Sequence, residues 1–216
     1  MAQVFPRGAN ALARVSLVSA VVAPFVLFGA VYFFERSPYV TGAGVPIEQP
    51  IPFSHKHHVG DDGIACEYCH TTVATSSFAG MPSSETCINC HSQVWNQSDA
   101  LAPVRLSVQT GRPINWERVH ALPDYVYFDH SIHVQKGVAC ETCHGRVDEM
   151  PTVMKVASLQ MQWCVDCHRD PTANLRPRED VTVMGWQPPS NLDELQRQLA
   201  LENHVQSRTD CSTCHR

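Results

Sequence analysis

Ten cysteines fall into five Cys-x-x-Cys pairs, and each pair is followed at once by histidine. The five units are Cys66, Cys69 and His70; Cys87, Cys90 and His91; Cys140, Cys143 and His144; Cys164, Cys167 and His168; Cys211, Cys214 and His215. No cysteine is left over. Repeated Cys-x-x-Cys also marks zinc sites, but zinc does not require histidine after the second cysteine. With 12 histidines in 216 residues, five such adjacencies are not coincidence. A two-residue gap repeated five times is also a poor disulfide pattern. Cys-x-x-Cys-His is the unit of covalent c-type haem attachment, so the chain is expected to carry five c-type haems.

Two of these units end a longer repeated phrase. Residues 53–70 read FSHKHHVGDDGIACEYCH, and residues 128–144 read FDHSIHVQKGVACETCH. Phe53 answers Phe128, His55 answers His130, His58 answers His133, and Ala65-Cys66-Glu67 answers Ala139-Cys140-Glu141. One residue is inserted in the first copy. An internal repeat of this kind sets the organisation before any fold is considered. Each copy continues to a second haem unit, giving two dihaem units, 53–91 and 128–168.

The spacing of the thiols places both on one helical turn. They add to the two haem vinyl groups, and the adjacent histidine reaches the iron from the same side. His70, His91, His144, His168 and His215 are therefore the expected proximal ligands. The sixth position decides function, because a filled one serves electron transfer and an open one permits catalysis. Seven histidines remain for it: His55, His57, His58, His120, His130, His133 and His204. His55/His58 and His130/His133 are each three apart, so on a helix they share a face and each pair is expected to serve two different haems. The bland alternative for these four is a surface or propionate contact. His120 is the first choice for the fifth distal ligand, from an aromatic stretch before the second unit. Met161, Met150 and Met154 are alternatives whose ordinary role is haem-wall packing, and His204 is another. His57 is expected to face solvent.

Composition adds two limits. The formal charge is −5 and there is no basic tract, so nothing points to nucleic acid. Roughly 36 residues per haem are too few for a conventional core. The fold class expected is one N-terminal transmembrane α-helix plus a multihaem c-type cytochrome domain, mostly loops and short helices packed around five haems.

Val15–Phe34 is an uncharged run of hydrocarbon-spanning length, ended by Tyr32-Phe33-Phe34 and Glu35-Arg36. A cleaved secretory signal would have a shorter apolar run and a small-residue cleavage site. Residues 1–36 are therefore read as a retained anchor in a bacterial inner membrane. Arg7 and Arg14 place the N-terminus in the cytoplasm, with the haem domain periplasmic. The remaining segments are a linker at 37–52, a connecting segment at 92–127, and 169–216 as an extended arm, a helix and the fifth haem. Asn191 and Glu194 read as a capping-box start, with Leu192, Leu195 and Leu199 on one face. The arm reads as either a docking segment or a solvated tail.

The Phe-x-His-x-x-His phrase before Cys-x-x-Cys-His resembles the class III multihaem cytochromes. That resemblance implies that His55 serves haem one and His130 haem three, with His58 and His133 serving others. The whole chain resembles the membrane-anchored pentahaem subunits of alternative complex III. The matching features are the anchor, the five units in this spacing, the 116–128 stretch WERVHALPDYVYF, Cys143-His144-Gly145, Met161-Gln162-Trp163-Cys164 and Cys214-His215-Arg216. This implies an iron–sulfur subunit, polytopic quinol-binding subunits and a monohaem cytochrome as partners. It also implies quinol oxidation with electrons passed to a periplasmic cytochrome c or blue-copper acceptor, the chain itself being an electron wire rather than an enzyme. Two other readings share the architecture: an anchored quinol dehydrogenase feeding a periplasmic reductase, and a multihaem reductase with one open haem.

Overall fold

The uncharged run lies inside α1, Ala9–Glu35, in a computed structural model that describes residues 4–215. Arg216, the last residue of the Cys214-His215-Arg216 phrase, and residues 1–3 lie outside the described residues. Twenty-seven residues of helix reach roughly 40 Å, which exceeds the hydrocarbon thickness. The apolar window has a mean hydropathy of 2.3 and none of it is buried, so α1 is not a core helix of a soluble domain. It is the one helix among the described residues long and apolar enough to cross a membrane. Pro24 sits within it without ending it. A short α2, Pro38–Thr41, is closed by Gly42 in the left-handed conformation. The chain divides after Gly42 into this N-terminal unit and a second unit, 43–215.

The second unit contains no strands among its described residues, only three isolated bridges. Its helices are short: α3 Cys66–Cys69, α4 Ser84–His91, α5 Ala102–Thr110, α6 His130–Gln135, α7 Cys140–His144, α8 Met161–Arg169, α9 Leu192–Glu202 and α10 Cys211–Cys214. Three of the five that carry cysteines, α3, α7 and α10, start at their first cysteine, while α4 and α8 begin about one turn earlier, at Ser84 and Met161. The segment after Gly42 joins the unit rather than hanging free, because the Gly44 amide donates to the Lys155 carbonyl at 2.7 Å.

The two repeat copies differ where the insertion predicts. Copy two forms an ordinary helix, α6, whereas copy one forms a π-helical turn over Lys56–Asp61. A π turn is an α turn holding one extra residue. The single inserted residue is thus absorbed between His58 and Cys66, and both copies deliver the same histidine and cysteine phrases.

Protein alone builds a thin core. Ten apolar residues are buried among the described ones, with one small cluster of Ile51, Leu101 and Val104 packed by Cys87, Ile88, Ile114 and Trp116. The 171–186 arm is neither solvated nor free. Leu175 is 1% exposed, and α9 rests on the arm through Gln196, which donates to the Ala173 and Leu175 carbonyls. The helix at 192–202 forms with Leu199 buried. The capping box does not close: Asn191 lacks the extended backbone that a cap needs, and Glu194 instead pairs with Arg197 at 2.6 Å.

Candidate haem-binding site

All five Cys-x-x-Cys pairs lie on helical turns, so both sulfurs of each pair are presented within one turn. Histidine follows on the same turn or at its end. The structure then brings spare histidines opposite three of these. The ring centroids of His58 and His91 are 6.1 Å apart, those of His133 and His168 are 6.0 Å apart, and those of His130 and His144 are 6.4 Å apart. Two imidazoles bound to one metal, each through a nitrogen at about 2 Å, keep their ring centres roughly 6 Å apart. The separations therefore fit a six-coordinate iron between each pair, and the donor set fits haem c.

The hydrogen bonds fix which ring nitrogen is available. Nδ1 of His70 donates to Gly80 O (2.8 Å), of His91 to Val94 O (3.0 Å), of His168 to Arg208 O (3.0 Å) and of His215 to Tyr125 O (3.0 Å). On the opposing side, Nδ1 of His58 donates to Ser54 O (2.9 Å), of His130 to Ser77 O (2.8 Å) and of His133 to Asp129 O (2.7 Å). A carbonyl only accepts, so the proton sits on Nδ1 and the Nε2 lone pair is free for a metal. Phe53 stacks on His58 at 4.5 Å and Phe128 on His133 at 4.6 Å, which gives the repeated phenylalanine a physical role in aiming the second histidine of each pair.

Two further histidines, His55 and His120, are half-buried near His144. His120 meets His144 at 4.2 Å, too close for an iron between them, and its Nε2 is buried without a hydrogen-bond partner; so is Nδ1 of His55. Burial, with the imidazoles of His120 and His130 beside it, holds His144 at about 3, and burial likewise holds His55 and His120 at about 4. These imidazoles are neutral at physiological pH, the form that ligates metals. Burial pushes the Cys140 thiol up to about 11, with Cys66 adding to it, and Cys143 up to about 12, with Cys167 and Cys164 adding.

The other candidates are placed elsewhere. His57 stacks on Trp95 at 6.2 Å and faces Asp62 at 3.5 Å on the surface. His204 is exposed and holds the left-handed position after α9, at φ 50°. Met150 is buried in packing, while Met161 is 69% exposed at the start of α8. The ring against His215 is that of Tyr125, at 5.9 Å, and among the described residues no histidine ring faces the first or fifth unit as one does the second, third and fourth.

Sequence reasoning missed the carbonyl acceptors and one ion pair. Arg176, 7% exposed, donates to Glu141 at 2.5 Å and to the Val183 carbonyl at 2.9 Å, with its guanidinium 5.0 Å from the Trp186 ring. The other Glu141 oxygen accepts from the Gly185 amide at 2.7 Å. The repetition of this glutamate as Glu67 was the one available signal.

The family described as cytochrome c7 and related cytochrome c matches residues 51–104 and 126–216. Over 176 residues the chain is 33% identical to the menaquinone reductase, multiheme cytochrome c subunit, of Nitratidesulfovibrio vulgaris strain Hildenborough; the match covers 78% of this chain and 77% of that protein.

Proposed function

The chain belongs to the family of cytochrome c7 and related cytochromes c, and on that premise we propose that it is a membrane-anchored, five-haem electron wire within a quinone-linked complex. The observation that carries this is the facing of histidine rings at 6.0–6.4 Å across three of the haem sites. Haem c supplies a one-electron Fe(III)/Fe(II) couple. At the second, third and fourth units the facing histidines would hold the iron from both sides and keep substrate off it, with backbone carbonyls fixing the imidazole tautomers. His55 is the histidine left for the distal side of haem one, His120 lies too close to His144 to share an iron with it, and the distal group of haem five is left for Met161 or another side chain to fill.

The direction of flow proposed is quinol oxidation, as in alternative complex III, with iron–sulfur and polytopic quinol-binding subunits on one side and a periplasmic cytochrome c or blue-copper protein on the other. α1 gives the complex an anchor in the inner membrane, with the haems periplasmic. A second reading, delivery of electrons to menaquinone, is favoured by the name of the Nitratidesulfovibrio relative. The purified complex decides between them. Anaerobic mixing with a menaquinol analogue should reduce the haems, and a soluble acceptor should then reoxidise them. Haems that stay oxidised with quinol, yet pass electrons to the quinone when pre-reduced, establish the second reading. Stoichiometric carbon monoxide binding by the native protein at one haem would replace both with a reductase.

A further inference from the structure

Four joints, one direct and three through a short intervening segment, connect the Cys-x-x-Cys-His turns, and they do not follow chain order. Asn89, between Cys87 and Cys90, donates to the hydroxyl of Tyr68, between Cys66 and Cys69, at 3.0 Å. The turns of haems two and one therefore touch. The Val181 carbonyl accepts from the Cys140 amide at 2.9 Å, and the next carbonyl, of Thr182, lies 4.0 Å from Cys66 Sγ. One dipeptide thus spans the turns of haems three and one. Asn174 Nδ2 lies 3.5 Å from Cys167 Sγ, and Arg176 reaches Glu141 at 2.5 Å, so one short strap spans the turns of haems four and three. Finally the Arg208 amide donates to the His168 carbonyl at 3.3 Å and its carbonyl accepts from His168 Nδ1 at 3.0 Å, just ahead of Cys211. That joins haem four to haem five.

We propose that the haems form an unbranched line in the order two, one, three, four, five, so that electrons enter and leave at the haems of His91 and His215. The two repeat units meet head to head at their first haems, and the fifth haem extends the second unit. Solvent exposure supports the same order from a separate direction. Of the ten cysteines, the two that are exposed are Cys90 and Cys211, one in each terminal turn. Exposed aromatic rings stand beside the same ends: Trp95, 67% exposed, follows the Val94 carbonyl that holds His91, and Tyr125, 66% exposed, lies against His215. A line needs open ends and a closed middle, and this is the distribution seen. The ordering matters for function because tunnelling falls steeply with distance, so neighbours in the line, not neighbours in the sequence, exchange electrons.

The proposal rests on the haem reading of the five units, and its test separates the two. Intact mass of the full-length protein gives the haem number; a value other than five overturns the haem reading itself. His58→Ala should leave haem two high-spin and His133→Ala haem four. In oxidised samples, electron paramagnetic resonance then reads how many of the other signals the new high-spin centre broadens. One broadened neighbour for His58→Ala and two for His133→Ala are expected. Two for His58→Ala, or one for His133→Ala, would overturn the line. A second route needs no ligand assignment: the Cys211→Ala/Cys214→Ala variant, lacking haem five, should shift the potential of one remaining haem. A shift spread over several haems would sink the order.

Discussion

The imidazoles of His133 and His168 face each other with centroids 6.0 Å apart, and each has its Nδ1 engaged by a backbone carbonyl. The second histidine of the repeated pair therefore faces the histidine of the second Cys-x-x-Cys-His turn of its own unit, not that of the turn whose cysteines follow it in the chain. His58 does the same with His91. His133→Ala and His168→Ala should accordingly abolish the same low-spin resonance, while His130→Ala abolishes a different one. Loss of the same resonance in His130→Ala and His133→Ala would contradict the assignment.

Asp129 caps α6 by accepting from the amides of Ser131 and Ile132, at 2.8 and 3.4 Å, and that helix carries both His130 and His133. Asp129→Ala should cost about 1 kcal/mol, read as a lowered denaturation midpoint. Asp129→Asn, which keeps a capping oxygen, should recover most of it.

Gly137 holds φ +89°, and a Cβ there would meet the Arg176 carbonyl at 2.5 Å. Gly111 holds φ +66° with open space around it. Alanine at Gly111 bears only the left-handed backbone penalty, on the order of 1 kcal/mol, whereas alanine at Gly137 must also displace backbone. Thermal unfolding of the two variants should show the larger loss at Gly137; equal losses would mean that the 137–176 contact is soft.

The Arg176–Glu141 pair sits beside the third haem turn and is largely shielded from water, where charges interact strongly. Glu141→Gln leaves the guanidinium uncompensated, which favours the reduced, less positive iron, so the potential of the nearest haem should rise. Arg176→Met leaves the carboxylate and should lower it. The double variant should return toward the starting value. Glu67, the exposed counterpart in the first repeat, provides the control, and Glu67→Gln should move little. A redox titration showing shifts of the same sign in both single variants would mean a packing role alone.

Removing residues 1–36 and supplying a cleavable export signal should release a water-soluble protein that keeps its covalent haem. Fractionation checks this in a strain lacking the partner subunits. Retention in the membrane fraction there would deny α1 the role of anchor.

What the sequence made legible follows from where the chemistry lives. A fixed spacing of particular side chains is written in the sequence itself, so the five Cys-x-x-Cys turns were readable, as was the correspondence of His55/His58 with His130/His133. Even the π turn at Lys56–Asp61 was foreshadowed by the inserted residue. The orienting groups of Ser54, Ser77, Gly80, Val94, Tyr125, Asp129 and Arg208 were not, because each acts through a backbone carbonyl that every residue possesses. Arg176 was missed for another reason: its partner is distant in the chain, and a buried ion pair has no local pattern. The leucine spacing of α9 found the helix, but the cap depended on the backbone angles of Asn191, which its neighbours set.

His130 reaches Ser77 twice, through its amide at 3.2 Å and its Nδ1 at 2.8 Å, and the next amide, of Ser131, bonds Ser76. The acceptors are main-chain carbonyls of the first repeat, and the donors are the first residues of α6. The second repeat is thus seated here on backbone groups of the first alone, so a change of side chain at Ser76 or Ser77 leaves the seat intact.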